Sequence, residues 1–144
     1  MLVDDLKVLL ATTHSMYLKT ANYHWNMEGP DFIQYHPWLG DVYADIYGTE
    51  DRIAEYIRTL QAYTPASLAR FQELTRIKDQ IDVVQPLQLF EQLLSDNQIM
   101  LDCLNEVFTC AVNENRQGIA NYMADRIDTH SKWAWQIRAT LKVI

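Results

Sequence analysis

The chain has 144 residues, a formal net charge of −7 and a sequence pI near 4.9. That length bounds it to a single domain, 1–144, with one core, and its excess of acid leaves no global basis for holding the phosphates of nucleic acid or anionic lipid. With 49% hydrophobic residues and only 4 Gly and 4 Pro, the composition excludes a loop-rich or disordered chain and favours long regular elements.

The opening stretch MLVDDLKVLLATTHS places Asp4 and Asp5 where a secretory leader needs positive charge, and Lys7 interrupts its apolar run. No segment reaches the roughly 18 apolar residues of a membrane span, so a cytoplasmic location is expected. The first helix is predicted from about Asp4 to Trp25, with Leu6, Leu9, Leu10, Thr13, Met16, Tyr17, Thr20 and His24 recurring at three- and four-residue steps. Asp4 and Asp5 suit its start, where the helix dipole favours negative charge, and Gly29-Pro30 ends it.

A second helix is predicted from about Tyr35 to Gln61, with the stripe Tyr35, Trp38, Leu39, Val42, Ile46, Ile53, Ile57 and Leu60. The connection that follows is longer than a bundle turn needs, which points to a crossover; Leu68, Phe71 and Leu74 place a short helix within it, packed across the bundle. Pro86 opens the third helix as a favourable first-turn residue, ahead of Leu89, Leu93, Met100, Leu104, Val107 and Ala111. Cys103 and Cys110 lie on it about 10 Å apart at 1.5 Å rise per residue, too far for a bridge within the helix, and are read as reduced thiols. NENRQG makes the next break, and the fourth helix runs from about Ile119 to Lys142 with Met123, Ile127, Trp133, Trp135, Ile137 and Leu141. The fold class is all-α, a four-helix bundle with a short extra helix in the crossover between the second and third helices.

The segment from Asn22 to Ile57 contains four potential metal ligands, His24, His36, Asp51 and Glu55. Imidazole nitrogen combined with carboxylate oxygen suits Fe(II), Zn(II) or Mn(II). On a helical wheel Asp51 and Glu55 share one face, about 40° apart, while Ile53 points nearly the opposite way. His36 and Asp51 are separated by roughly 22 Å along a continuous helix, so one chain cannot bring both to one ion. Two antiparallel copies about a two-fold would bring the His36 end of one to the Asp51/Glu55 end of the other, with two equivalent sites. Gly48 would then let the partner helix approach closely.

At this point the chain resembles a known family. His24-Trp25-Asn26, Gly29, Phe32, His36, Asp51 and Glu55 match the ferroxidase signature of the Dps proteins, the starved-cell DNA-protection proteins or miniferritins of the ferritin-like superfamily. TPASLARFQELTRIKD is similar to the family's short crossover helix and DRIDTHSKWAWQIRATL to its last helix, so the resemblance covers essentially the whole chain. It implies a ferritin-like subunit, a hollow dodecamer, and ferroxidase sites at two-fold interfaces where His24 and His36 of one subunit meet Asp51 and Glu55 of its neighbour. It further implies oxidation of Fe(II), commonly by hydrogen peroxide, and storage of the ferric mineral. Trp25 would stand beside the site as a radical trap.

Three positions depart from the family pattern. Gly40, with Asp41 beside it, stands where many members carry a further Asp; His130-Ser131-Lys132 replaces His-Glu-Lys; and Asn121 replaces an Asp at the start of the last helix. Asp125 and Asp128, one turn apart, are the candidates left for lining an iron-entry pore. Direct DNA binding is expected to be weak or absent, since only Lys7 and Lys19 precede His24 and the LKVI end adds no basic extension. Ordinary ferritins, which use Glu-x-x-His pairs, are disfavoured because no Glu here is followed by His three residues on. The competing reading is a structural or nucleoid-packing assembly whose metal site is degenerate or occupied by zinc.

Overall fold

Six α-helices account for the regular structure of the described residues, 1–142, in a computed structural model: α1 Leu2–Asn26, α2 Phe32–Tyr47, α3 Glu50–Thr59, α4 Leu68–Leu74, α5 Pro86–Asn113 and α6 Gln117–Leu141. Val143 and Ile144, the last two residues of the LKVI end, lie outside the described residues. Helix α1 packs against α2, α3, α4 and α5, and α5 pairs with α6. The expected all-α bundle with its crossover helix is what forms. None of the described helices is long and apolar enough to cross a membrane.

The core follows the apolar stripes. Leu6, Leu9, Met16, Leu39, Val42, Ile46, Ile53, Ile57, Leu89, Leu93, Met100, Leu104, Val107, Met123 and Ile137 are buried together. One residue of the last stripe departs from it: Trp135 is 58% exposed. Trp133, two positions earlier, points about 160° away on the helix and packs on the core in its stead. Trp135 lines a hollow with Gln34, Tyr35, Trp38 and Phe90 instead.

The second predicted helix is not continuous. It breaks at Gly48 and Thr49, giving α2 and α3. The Thr49 amide turns back to the Ile46 carbonyl at 3.0 Å, and the Thr49 hydroxyl donates to that same oxygen at 2.7 Å. Ile46 O is the acceptor that the Glu50 amide would need to carry the helix onward, so the side chain competes with the backbone ladder. Helix α3 restarts at once, with Glu50 and Asp51 in its first turn, where the dipole favours acid.

The connection between α3 and α5 is tied down by side chains of α1. Thr12 accepts from the Arg76 amide, Lys19 donates to the Lys78 carbonyl and Asn22 to the Gln80 carbonyl. Lys19 also pairs with Asp96 of α5 at 2.9 Å, largely out of solvent. The short α4 is capped by Ser67, which accepts from the Arg70 amide. Both cysteines are free, Cys103 buried and Cys110 half-buried.

Candidate metal-binding half-sites

The end of α1 and the start of α2 are joined by a turn in which Gly29 adopts φ +111°, a left-handed conformation that other residues rarely reach. The turn folds α2 back along α1, laying His36, Gly40, Tyr43 and Tyr47 beside His14, Tyr17 and His24. Each set recurs at steps of three, four or seven residues, so each is one helix face.

His24 and His36 are brought together. Their rings stack with centroids 3.8 Å apart and planes 13° from parallel. His24 Nδ1 donates to the His36 carbonyl at 2.5 Å, and His36 Nδ1 donates to the His24 carbonyl at 2.7 Å. The second bond uses an acceptor that the end of α1 leaves without a helical donor. Because a carbonyl oxygen only accepts, both rings carry a proton on Nδ1, so that the neutral form of each presents its Nε2 lone pair. Backbone partners that fix the tautomer in this way are the usual outer support of metal-binding histidines. Phe32 stacks on the far side of His36, with centroids 4.7 Å apart, and Tyr43 meets His24 edge-on at 5.1 Å. Trp25 lies 61% exposed against Tyr43, their centroids 6.4 Å apart.

Asp51 and Glu55 are also brought together, one turn apart on the exposed side of α3. A hydrogen bond between the two carboxyl groups, together with the Asp51 charge, raises the Glu55 pKa above its ordinary value. A cation placed between them would remove that repulsion. Within one chain the imidazole pair and the carboxylate pair remain separate: among the described residues, no group of three or more His, Cys, Asp or Glu side chains is arranged to hold a metal.

Beside Asp51 lies a feature the sequence pattern did not single out. His14 Nδ1 and Glu50 Oε1 are 2.7 Å apart, half-buried under Phe71 of α4 and Tyr17. Burial raises the Glu50 carboxyl above its usual range, and the hydrogen bond with His14 partly offsets that. The pair lines a hollow of about 560 Å³ that also touches Tyr47, Asp51 and Thr64. Its only sequence signal was the position of His14 on the same face of α1 as Tyr17 and His24. Aromatic rings fill the space between the half-sites, with Tyr17 against Tyr43 at 5.9 Å and against Tyr47 at 4.7 Å.

On the other side of α2, Asp45 pairs with Arg126 of α6 at 2.6 Å. Asp125 and Asp128 are both exposed, and Asp128 shares a hollow with Asp41, Asp45 and Lys132.

Comparison with known proteins identifies the fold family. The model of the ferritin-like domain matches residues 3–144. An uncharacterized protein of Haemophilus influenzae is 32% identical over 96% of this chain and 86% of its own length. The DNA protection during starvation protein of Helicobacter pylori is 26% identical over 96% of both chains. The crystal structure of the Dps protein of Vibrio cholerae, described as a ferritin-like diiron-carboxylate protein, superposes with TM-score 0.92 at 28% identity, covering 97% of this chain and 88% of that one. With the whole chain matched in this way, it belongs to the ferritin-like family, and the Dps proteins are among its relatives.

Proposed function

We propose that this protein is the subunit of a hollow iron-storing shell, a dodecamer, which takes up Fe(II), oxidises it at sites shared between subunits and keeps the ferric product inside. The observation that carries this reading is the reciprocal bonding of His24 and His36 to each other's backbone, which occupies both Nδ1 atoms and leaves each Nε2 without a hydrogen-bond partner among the described residues. Imidazole pairs bonded in this way are arranged for a borderline cation. Asp51 and Glu55 of a second subunit supply the oxygen donors that the α1–α2 half-site lacks.

The ring planes refine that arrangement. A metal bound to imidazole lies close to the ring plane, along the Nε2 lone pair. Planes only 13° from parallel, with centroids 3.8 Å apart, do not meet within bonding distance of a single ion. His24 and His36 would therefore hold two neighbouring Fe(II) substrates, and Asp51 and Glu55 of the second subunit would supply oxygen donors to them. Two adjacent Fe(II) substrates match a two-electron oxidant: each gives one electron to hydrogen peroxide, which takes up two protons and leaves as two waters. This stoichiometry releases no hydroxyl radical. Trp25, beside Tyr43, intercepts whatever single-electron oxidant escapes the pair, and Asp125 and Asp128 attract Fe(II) toward the entry pores.

Adding Fe(II) and then hydrogen peroxide to the native assembly tests the reading directly. Consumption near one peroxide per two Fe(II) is expected, with iron retained by the shell. The His24→Ala/Glu55→Ala double variant is expected to lose the protein-dependent rate by about a hundredfold or more, since removing even outer supports of metal ligands costs 10–100-fold. Wild-type oxidation in that variant would refute the site.

The net charge of −7 makes the protein repel duplex DNA on balance and disfavours binding driven by counterion release. In a band-shift experiment at physiological salt, the assembled protein is expected to leave a linear duplex unshifted. A shift at submicromolar protein would overturn this and favour the nucleoid-packing reading.

A further inference from the structure

We propose that Gly40 is a positioning residue for the imidazole pair: by lacking a side chain it gives the His24 ring the space in which that ring stacks on His36 and keeps its Nδ1 on the His36 carbonyl. Gly40 sits in the interior of α2, where glycine is the poorest helix former after proline. Its backbone gives no reason for glycine, since Gly29 is the glycine with positive φ among the described residues. Space gives the reason. A Cβ on Gly40 would lie 2.8 Å from His24 Cε1, 3.1 Å from Nδ1 and 3.6 Å from Nε2. At Gly48 the same added carbon would meet only backbone oxygens at 3.4 Å, an ordinary contact, and at Gly118 it would meet nothing. Gly40 is thus the one glycine whose side chain would collide with a proposed ligand.

The ring has little freedom to slide away while keeping its role. His36 covers one face at 3.8 Å, Tyr43 meets it edge-on at 5.1 Å, and Nδ1 is held at 2.5 Å by the His36 carbonyl. A methyl at position 40 forces the ring to rotate, which breaks the Nδ1 bond and frees the tautomer. The glycine also leaves the α1–α2 half-site with nitrogen donors alone. Such a half-site selects borderline divalent ions that accept imidazole, Fe(II), Zn(II) and Co(II), over Mg(II) and Ca(II).

Gly40→Ala in the assembled protein tests this, with two readouts. In metal-free protein, ¹⁵N NMR of the imidazoles is expected to lose the single Nδ1–H tautomer of His24, while the protein stays folded and assembled, because alanine's helix preference offsets part of what the displaced ring loses. Titration with Zn(II) is expected to show affinity about tenfold weaker or worse, in the range lost when support of a ligand is removed. In a His24→Ala background the same Gly40→Ala change is expected to alter Zn(II) affinity less than about twofold, because the ring it displaces is gone. An unchanged tautomer and affinity in Gly40→Ala would overturn the proposal, as would an equal loss of affinity in the His24→Ala background. The inference about metal rests on the ferroxidase reading, and the two fail separately. If His24→Ala alone left Zn(II) binding intact, the ligand assignment would fall, while the metal-free NMR readout would still decide whether Gly40 holds the ring.

Discussion

Subunits without the imidazoles (His24→Ala/His36→Ala) and subunits without the carboxylates (Asp51→Ala/Glu55→Ala) are each expected to be inactive as pure assemblies, and their co-assembly is expected to restore about a quarter of the wild-type sites. The figure follows from two-fold symmetry. A pair of subunits contains two sites, each built from the imidazoles of one copy and the carboxylates of the other. In a pure assembly of either variant every site lacks half of its donors. In a mixed pair one site receives both intact halves and the other receives neither. Random mixing makes half of all pairs mixed, and half of their sites are complete. Peroxide-dependent Fe(II) oxidation and the Co(II) absorption of the bound metal should both recover to that level. A fraction near zero would mean that the donors do not meet across a two-fold, and would end the shared-site reading. The separation of the two donor pairs within one chain is what makes complementation the decisive experiment.

Most of the helices were legible because apolar spacing alone determines which face is buried. The break in the second helix was not, and the reason lies in four particular residues. Val42, Ile46, Ile53 and Ile57 are spaced by four, seven and four, so the stripe keeps its phase through Gly48 and Thr49 and carries no record of the interruption. The cause is local, the Thr49 hydroxyl taking the Ile46 carbonyl. The candidate site divides in the same way. His24, His36, Asp51 and Glu55 were legible as residue types at a specific spacing, and the structure brings them together as two pairs. The reciprocal bonds that set both tautomers depend on how the turn at Gly29 folds α2 onto α1, which no helical wheel encodes. Gly40 read as a missing carboxylate. In three dimensions the more immediate fact is the ring that occupies its place. His14 and Glu50 stand on different helices and 36 positions apart, so no periodicity within one element links them.

The largest effect on stability is expected from acid, acting through His130. This histidine is buried between α5 and α6, where its Nδ1 donates to Asn97 Oδ1 at 2.8 Å and the Asn97 amide donates back to the His130 carbonyl at 2.8 Å. Its remaining nitrogen, Nε2, faces Arg126 Nη2 at 3.4 Å. A ring that donates through Nδ1 and faces a guanidinium through Nε2 is held neutral. Burial first, and the Arg126 charge second, push its pKa down from 6.5 to about 3. An unfolded chain protonates this imidazole below about pH 6.5, whereas the folded chain does not until near pH 3, so the stability it contributes is complete above pH 6.5 and drains away as pH falls between those values. One proton bound only by the unfolded state costs about 1.4 kcal/mol per pH unit. The raised pKa values of Glu50 and Asp96, both caused chiefly by burial, act with the opposite sign, because the folded state then takes up protons before the unfolded one as pH falls. Wild-type protein alone would blur the two effects, and His130→Asn separates them, since asparagine keeps a donor toward Asn97 but does not titrate. Denaturant unfolding at pH 7 and pH 4.5 is expected to show the wild type losing about 2–3 kcal/mol more per subunit than the variant across that interval. Equal losses in the two proteins would mean that His130 is protonated in the fold, which its burial, its Asn97 bond and the neighbouring Arg126 all oppose.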